Sequence, residues 1–373
     1  MSAKDPKKNI ILMISAVLII AVLSLGTLIL PDREMSENEN RYLAQAPDID
    51  MEDILSGEFE ENSEKYLTDQ IIGREQWISM YSNILKLGLR EDINGVYLRK
   101  DGVLAERTTP WEFDWDAFQG NLDNVALLRS DLEGRIPVDV MLVPSASFVN
   151  RAAYNMSTNF DEYRCFSHAE DALGDGLIIL RGQMEPDMYY KTDHHWNMKG
   201  AMNAASVYLA RAGLKVDLPE LVTVSGGFRG TLYSKILING DRTDDIRLPA
   251  GWEDDRTKLI ADGEEFGSIY FKDRLEQKDQ YEVYLGGNYG RADIVPENGD
   301  GKPSLLIVKD SYANSFVPAV LNDFSKITLI DPRYYRGSVE DLASSEGYDR
   351  VLVLFSTVNF SQQKLELTKS LLG

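Results

Sequence analysis

The chain is poor in the residues that build metal and redox sites. It has one cysteine, Cys165, among 373 residues, which excludes an internal disulfide, a thiolate zinc cluster and a dithiol redox pair. Its three histidines, His168, His194 and His195, offer little material for metal chemistry. Two of the three are adjacent, and a carboxylate, Asp193, precedes them directly.

Basic residues are also scarce. The chain has 39 Lys and Arg against 60 Asp and Glu, which gives a formal net charge of −21. A field of this sign repels a phosphate backbone, so the composition argues against a nucleic-acid binder. The acidity is equally well explained as a device for solubility. With 43% hydrophobic residues the chain can bury a large core, which excludes wholesale disorder.

One long hydrophobic run stands near the N-terminus. Residues 10–30 read IILMISAVLIIAVLSLGTLIL, without a charge, and about 20 helical residues cross a ~30 Å hydrocarbon layer. Lysines precede the run and mixed charges follow it, which favours a cytoplasmic N-terminus, 1–9, and a transmembrane anchor at 10–30. A cleaved signal peptide is the alternative, but its apolar region is normally only about 7–15 residues long.

The remainder divides into a linker and helical stalk, 31–92, and an α/β body, 93–373. Five short apolar runs have the length of buried strands, at 138–143, 177–180, 304–308, 327–330 and 351–355. Helical patterns lie before or after most of them, at 111–133, 200–212, 314–322, 339–345 and 362–372. This alternation predicts a mostly parallel sheet with helices on both faces. Residues from about 215 to 300 are rich in Gly, Asp and alternating runs, and are interpreted as a β-rich insertion.

The first candidate site is the segment YYKTDHHWNMKGA, at 189–201. In an extended or turn conformation Asp193 and His195 project to the same side, so the carboxylate can orient the imidazole as a general base. His194 then points away. Two alternatives stay open: a metal site formed by Asp193, His194 and His195, and a polar cluster with a structural role only.

The second candidate site is SLLIVKDSYANSF, at 304–316. Ser311 follows a buried strand and precedes a helix, where its own N–H and the helix dipole can stabilise an oxyanion. The alternative is that Asp310 and Ser311 are an ordinary helix-capping pair. Ser145, in MLVPSASF, is a second serine at a strand end, suited to a nucleophile or to lining a substrate.

The two sites support each other. A serine hydroxyl needs an adjacent base that a third group orients, and Asp193, His195 and Ser311 supply one of each. The segment LGGNYG, at 285–290, is the candidate for further oxyanion donors, because Gly286 and Gly287 allow close backbone approach. A simple glycine turn is the alternative for this segment.

These residues resemble a known family. TDHHW, at 192–196, looks like the signature of the DHHW family, extracytoplasmic proteins related to the SGNH-hydrolase-like alginate O-acetyltransferases. The family's Asp-x-His-Trp stretch falls on Asp193, His195 and Trp196, and its Asp-Ser strand end falls on Asp310 and Ser311. Further familial stretches include NGVYLRKDGVL, FRGTLYSK, YEVYLGGN, LLIVKDSYANS and IDPRYY. The order Asp, His, Ser is permuted relative to most SGNH hydrolases.

The resemblance implies both a fold and an activity. The fold is an α/β, flavodoxin-like SGNH sheet with the β-rich insertion. The tether outside the cytoplasmic membrane of a bacterium rests on the hydropathy of residues 10–30 alone. The activity is O-acetyl transfer to a secreted or cell-wall polysaccharide through an acyl-serine, with no metal or organic cofactor. An MBOAT-type membrane protein is the implied partner that supplies acetyl groups.

The resemblance also extends the list of site residues. In SGNH enzymes a Gly and an Asn complete the oxyanion hole, and we assign these roles to Gly287 and Asn288 by inference. The candidates to line the substrate are Trp196, Tyr312, Arg333 and Ser145. Two alternative functions remain: a carbohydrate acetyl esterase with the same triad, and a non-catalytic glycan-binding or assembly protein on a degenerate SGNH fold.

Overall fold

The computed structural model describes residues 6–36, 38–39, 41–99, 101–153, 159–362 and 364–368. The chain forms two compact units. The N-terminal unit comprises Met1–Arg90 and Ser234–Gly240, and the sheet unit comprises Glu91–Tyr233 and Asp241–Gly373.

The N-terminal unit is mostly helical. Its elements are α1 (Pro6–Ile29), β1 (Met35–Ser36), β2 (Arg41–Tyr42), α2 (Met51–Ser56), α3 (Glu58–Gln70) and α4 (Arg74–Leu87). Asp50 caps α2 by accepting a hydrogen bond from Glu52 N, and Gly57 ends it in the left-handed conformation with a φ of 87°. An acidic N-cap and a C-terminal glycine are the ordinary boundaries of a helix.

Helix α1 carries the long apolar run. Its segment Ile10–Thr27 has a mean hydropathy of 2.7, and only 6% of it is buried. By length and composition this helix can cross a membrane. The C-terminal end of α1 is tied to the chain between α3 and α4, because Thr27 Oγ1 accepts a hydrogen bond from Ile72 N at 3.2 Å.

An eight-stranded sheet is the frame of the sheet unit. In spatial order its strands are β11 (Glu264–Phe266), β10 (Lys258–Ala261), β12 (Arg291–Val295), β14 (Lys326–Ile330), β13 (Ser304–Lys309), β15 (Arg350–Ser356), β6 (Val138–Val143) and β7 (Leu177–Ile179). The last five are parallel, and the first three are added to β14 in antiparallel order. The carboxyl ends of the five parallel strands therefore share one edge.

Helices and two small sheets surround this frame. The helices are α5 (Trp115–Asp131), α6 (Ala146–Val149), α7 (Glu162–Leu173), α8 (Met198–Arg211), α9 (Thr231–Ile236), α10 (Ala313–Val320) and α11 (Val339–Glu346). The small sheets are β3 (Asp92–Ile93) with β4 (Val96–Leu98) and β5 (Leu104–Glu106), and β8 (Leu221–Phe228) with β9 (Asp244–Pro249).

The central strands bury both of their faces. In β6, Val138, Val140 and Leu142 belong to a core shared with α5 and α7, whereas Met141 and Val143 belong to a core shared with α8 and α10. A strand covered on both faces has no polar alternation, so it reads as a continuous apolar run. This explains why the parallel strands are visible in the sequence.

The mostly parallel sheet with helices on both faces is confirmed. The five apolar runs fall on β6, β7, β13, β14 and β15, and four of the helical patterns fall on α5, α8, α10 and α11. The region expected to be β-rich, 215–300, contains β8 to β12. Three of these strands extend the central sheet, and the other two form a separate pair.

The helix expected at 362–372 is wrong over the residues that the structure describes, which exclude 363 and 369–373. The described part, residues 362 and 364–368, is a non-helical segment. Leu365 N donates to Asn121 Oδ1 at 2.8 Å, and Val339 N donates to Leu367 O at 2.9 Å. Leu365 and Leu367 are buried in the core beside α5, so tertiary contacts override the helical periodicity.

We expect the mature protein to retain α1 as a membrane anchor. An exposed apolar helix of this length partitions into a bilayer, so the full chain should sediment with membranes and require detergent for release. The intact mass should include residues 6–29, and a reporter fused after Gly373 should be active outside the cytoplasm. A processed N-terminus near Gly26 or Leu30 would instead identify the segment as a signal peptide.

Candidate active site

Asp193 and His195 lie in a loop that is closed on itself. Tyr189 and Trp196 pair as an isolated antiparallel bridge, and Tyr190 N donates to His195 O at 3.2 Å. The residues between them bend, and α8 begins directly after the loop. Residues 189–196 therefore form a hairpin-like loop and not an extended strand.

Asp244, the first residue of β9, holds this loop in place. Its carboxylate accepts hydrogen bonds from Lys191 N and Thr192 N, each at 2.8 Å, and from the Thr192 hydroxyl at 2.6 Å. Three donors on one buried carboxylate leave the loop little freedom. The residues that follow Thr192, beginning with Asp193, are therefore held in a defined orientation.

Ser311 lies in the turn between β13 and α10. Asp310 shapes this turn by accepting hydrogen bonds from Tyr312 N at 2.9 Å, Ser356 N at 2.8 Å and Asn359 Nδ2 at 2.9 Å. Neither Asp310 nor Ser311 caps α10 with its side chain, since the helix begins after Tyr312 without a side-chain cap. The hydroxyl of the partly exposed Ser311 is left to another partner.

That partner is His195. The Nε2 atom of His195 lies 2.7 Å from Ser311 Oγ, and its Nδ1 atom lies 2.6 Å from Asp193 Oδ1. The backbone N of His195 also donates to Asp193 Oδ1, at 3.0 Å. The hydroxyl, the imidazole and the carboxylate thus stand in the geometry that an activated serine requires.

The local charges suit these three roles. Burial alone would raise the pKa of the Asp193 carboxyl, but the His194 and His195 imidazoles and the hydrogen bonds lower it well below its ordinary range. Burial and the neighbouring His194 lower the pKa of His195 below 6.5, against the opposing pull of Asp193. Asp193 is therefore an anion beside a neutral imidazole at neutral pH, and that imidazole can accept the serine proton.

Thr231, which the sequence analysis did not single out, completes the environment of Asp193. Its N and its hydroxyl donate to Asp193 Oδ2 at 2.8 Å and 3.0 Å. The preceding Gly230 permits this approach, because a Cβ atom there would lie 2.3 Å from Asp193 Cβ and Oδ2. Both residues fall in FRGTLYSK, which was noted only as a familial stretch.

Tyr281 is a second residue that the sequence analysis missed. Its ring stacks on the His195 imidazole with centroids 4.1 Å apart and an interplanar angle of 8°. Its hydroxyl donates to Ser311 O at 3.0 Å. One buried side chain therefore contacts both the His195 imidazole and the turn that carries Ser311.

Two residues expected to line the substrate are instead core residues. Trp196 is 0% exposed, and its Nε1 donates to Tyr312 O at 3.1 Å and to Ser315 Oγ at 2.9 Å. Tyr312 is 3% exposed, and its hydroxyl donates to His194 O. Both side chains join the Asp-His loop to the serine turn from behind, so neither can touch a substrate in this conformation.

Ser145 lies just after β6, at a strand end as expected. Its contacts do not suit a nucleophile or a residue that lines the substrate. It caps α6 and is buried, and its hydroxyl bonds to Glu162 Oε2 at 2.6 Å and to Ser147 Oγ at 2.9 Å. Burial raises the pKa of the Glu162 carboxyl. The structure therefore pairs His195 with Ser311 and pairs Ser145 with a carboxyl group.

The glycine segment after Tyr281 adopts backbone angles that suit glycine. Gly286 and Gly287 have φ values of 76° and 145°, so this segment is more constrained than an ordinary turn. Asn314, in the first turn of α10, donates from Nδ2 to Gly287 O at 3.2 Å. Asn288 is exposed and accepts a hydrogen bond from Lys309 Nζ through Oδ1 at 2.6 Å. The segment is thereby attached to both ends of the serine turn.

Arg333 lies at the same sheet edge, just after β14. Its guanidinium donates to both carboxylate oxygens of Asp331, which is fully buried. The Arg333 side chain is 40% exposed. It can therefore contact a ligand at this edge while its position is fixed by Asp331.

His194 does not point away from His195 as expected. The two rings are 3.9 Å apart at an angle of 35°, and His194 Nδ1 lies 2.7 Å from Thr231 Oγ1. The reason is that the loop bends here and does not alternate as a strand would. His194 nevertheless bonds to Thr231, and His195 bonds to Ser311.

The metal alternative can be examined on the same residues. Ligand atoms of Asp193, His194 and His195 lie within 4.8 Å of one another. Both oxygens of Asp193 and both ring nitrogens of His195 already have hydrogen-bond partners. A cation would have to displace those bonds, so the donor set fits the triad better than it fits a metal.

The candidate active site thus consists of a serine at a strand end, a buried histidine and a buried carboxylate on a mostly parallel sheet. Comparisons with known proteins then give the family. The sequence model described as "DHHW protein" matches residues 122–330, more than half of the chain. The chain belongs to the DHHW family. A comparison with curated proteins finds no match.

Solved structures share the fold. A DHHW family protein from Eubacterium siraeum has a TM-score of 0.61 and 21% identity, over 73% of this chain and 94% of that one. Bacillus cereus PatB1, in a structure with a sulfonyl adduct, has a TM-score of 0.62 and 18% identity, over 74% of this chain and 100% of that one. The O-acetyltransferase domain of Pseudomonas putida AlgJ, with a TM-score of 0.42 and 14% identity over 73% and 94%, is too distant to support an argument. The expected SGNH-like α/β fold is confirmed.

The protonation of His195 predicts the acid limit of any reaction at this site. A general base must be neutral, and its pKa is lowered, so kcat/KM should fall only as the pH drops through a value below 6.5. The measurement is a profile of kcat/KM against pH with a neutral acetyl ester. An acid midpoint above 6.5 would contradict the buried, desolvated state of this imidazole.

Proposed function

We propose that this protein is an extracytoplasmic O-acetyltransferase that acetylates a secreted or cell-wall polysaccharide through an acyl-serine. The observation that carries the proposal is the 2.7 Å contact between His195 Nε2 and Ser311 Oγ, with Nδ1 of the same ring held by Asp193. Membership of the DHHW family supports it.

The first half-reaction loads the serine. Ser311 Oγ attacks the carbonyl carbon of an acetyl donor while His195 Nε2 takes the hydroxyl proton. The tetrahedral intermediate collapses when the imidazolium returns this proton to the leaving group, and an acetyl ester on Ser311 remains. Asp193 stays ionised and stabilises the imidazolium.

The second half-reaction transfers the acetyl group. A sugar hydroxyl attacks the ester carbonyl and gives its proton to His195 Nε2. The second tetrahedral intermediate then expels Ser311 Oγ, which recovers the proton. In both halves the carbonyl oxygen carries negative charge, for which the N–H of Ser311, the backbone at Gly287 and the amide of Asn288 are the proposed donors.

The proposed extracytoplasmic location is supported by α1. A helix of this length and exposure supports a tether that holds the sheet unit outside the membrane. We further propose that an integral membrane protein of the MBOAT type delivers acetyl groups across the bilayer. The chemistry at Ser311 itself requires only a donor ester, because no step above uses a metal or organic cofactor.

An assay on the full chain in detergent tests the proposal. The protein is given a chromogenic acetyl ester, with and without cell-wall or secreted oligosaccharides, and both acetylated sugar and free acetate are quantified. Transfer to sugar is expected. Release of acetate alone, whatever the acceptor, would favour the esterase.

A chemical probe separates catalysis from mere binding. Sulfonyl halides react with activated hydroxyl nucleophiles, and the Bacillus cereus PatB1 structure carries a sulfonyl adduct. We expect a sulfonyl fluoride to add to Ser311, with the adduct located by peptide mass spectrometry. If neither an adduct nor ester turnover is found, the protein is a non-catalytic glycan-binding or assembly protein.

Substitutions in the triad should have graded effects on acetyl transfer. Ser311→Ala and His195→Ala should each lower kcat by about 10³-fold or more, because the serine is removed or left without a base. Asp193→Asn should be somewhat milder than either, because it impairs the orientation of the imidazole and does not remove the base. Ser145→Ala and His194→Ala are the matched controls and should retain most activity, as neither contacts Ser311. Loss of activity in Ser145→Ala but not in Ser311→Ala would move the nucleophile to the other strand end.

A further inference from the structure

A buried lysine lies beside the proposed oxyanion hole. Lys309, the last residue of β13, is only 1% exposed. Lysine is rarely buried to this extent without partners. Its Nζ donates to Asn288 Oδ1 at 2.6 Å and to Asn314 Oδ1 at 2.7 Å. The ammonium therefore connects the end of β13, the first turn of α10 and the glycine segment.

The chemistry of this contact sets the direction of the Asn288 amide. An ammonium group has three donors and no acceptor. The ammonium can donate to the oxygen of a side-chain amide. If the NH₂ group of that amide stood in the same place, two hydrogen-bond donors would face each other. The Oδ1 atom of Asn288 must therefore face Lys309, and the NH₂ group is directed elsewhere. Asn288 is exposed, whereas Lys309 is buried.

We propose that Lys309 is a positioning residue, which holds the Asn288 amide so that Nδ2 donates to the oxygen of the acyl group on Ser311. The inference rests on the proposed acyl-serine function. Lys309 itself does not touch the reacting atoms, and its role is to keep a donor aligned before charge develops. A donor that is aligned in advance costs no reorganisation in the transition state.

The charge on Lys309 is sensitive to pH. Burial lowers the pKa of its ammonium to about 8; the charges of Asp331 and Asp310 oppose this shift, and Arg333 adds to it. These three groups, from the turn after β13 and the end of β14, are the charges that act on it most. Once neutral, the amine also has an acceptor, so it no longer requires the amide oxygen of Asn288 in this place. The long 3.4 Å contact from Asn314 Nδ2 to the same oxygen is then left to hold it.

A comparison of pH profiles tests this proposal without disturbing the buried lysine. In the wild-type protein kcat for a chromogenic acetyl ester, corrected for uncatalysed hydrolysis, should decline as the pH rises through about 8. In Asn288→Ala this alkaline decline should be absent, because the variant lacks the side-chain amide that the charged Lys309 holds in place. An alkaline decline of the same size in both proteins would overturn the proposal.

A double-mutant cycle gives a second, independent readout. Asn288→Ala should lower kcat by about 10²-fold, the usual cost of one oxyanion donor, with little change in KM. Lys309→Met should lower kcat on the order of 10-fold, since the donor remains but is no longer held. The double variant should be no slower than Asn288→Ala alone. Additive losses in kcat would assign Lys309 a role independent of Asn288 and would overturn the inference.

Controls distinguish this failure from failure of the proposed function. Lys215→Met removes an exposed lysine that pairs with the exposed Asp217, and it should leave kcat and the melting temperature unchanged. Sulfonylation of Ser311 in the wild-type protein reports on the nucleophile alone. If that adduct forms and the cycle is additive, the acyl-serine stands and the positioning role of Lys309 falls. If no adduct forms, both fall together.

Discussion

The buried carboxylate of Asp193 is the constraint on which the rest of the site depends. An anion that is 1% exposed is tolerated only when its oxygens are fully hydrogen-bonded. Here the donors are the N and Nδ1 of His195 and the N and hydroxyl of Thr231. Satisfying this one charge therefore fixes the imidazole, the start of α9 and the close approach of Gly230. The orientation of the His195 imidazole is therefore a consequence of the hydrogen bonds that the buried Asp193 carboxylate requires.

The parallel sheet explains why the serine meets this histidine. The carboxyl ends of β6, β13, β14 and β15 lie along one edge, which brings Ser145, Ser311 and Asp331 to that edge together. Position at the edge does not by itself select the nucleophile. Ser145 bonds to Glu162, whereas Asp310 accepts the backbone hydrogen bonds of its own turn and the Ser311 hydroxyl bonds to His195. The neighbours of each serine decide its chemistry.

Sequence reasoning succeeds where the signal is local or where the chain has few alternatives. The parallel strands are visible because both faces are buried, and the pairing of Asp193, His195 and Ser311 was predicted because histidines are scarce. It fails for Thr231, Tyr281 and Lys309, whose residue types are unremarkable in a sequence. Their contacts with Asp193, Ser311 and Asn288 join residues that are 21 or more positions apart. It also misassigned Trp196 and Tyr312. An aromatic residue beside a catalytic motif can face the substrate or the core, and only the packing of α8 against α10 decides between them.

The enclosure of His195 bears on whether water or a sugar would receive the acetyl group. Tyr281 covers one face of the ring, and the rings of His194 and Tyr312 lie 3.9 Å and 5.0 Å away. With Nδ1 bonded to Asp193, Nε2 is the one ring nitrogen that can accept a proton, and it faces Ser311. A second nucleophile must therefore approach from the partly exposed side of Ser311, where both a water and a sugar hydroxyl would use the same base. The triad cannot discriminate between them. On the proposed function, preference for transfer over hydrolysis must then come from how an acceptor fills the space in front of Ser311. We propose Arg333, which is 40% exposed at the same edge, as a residue that binds this acceptor.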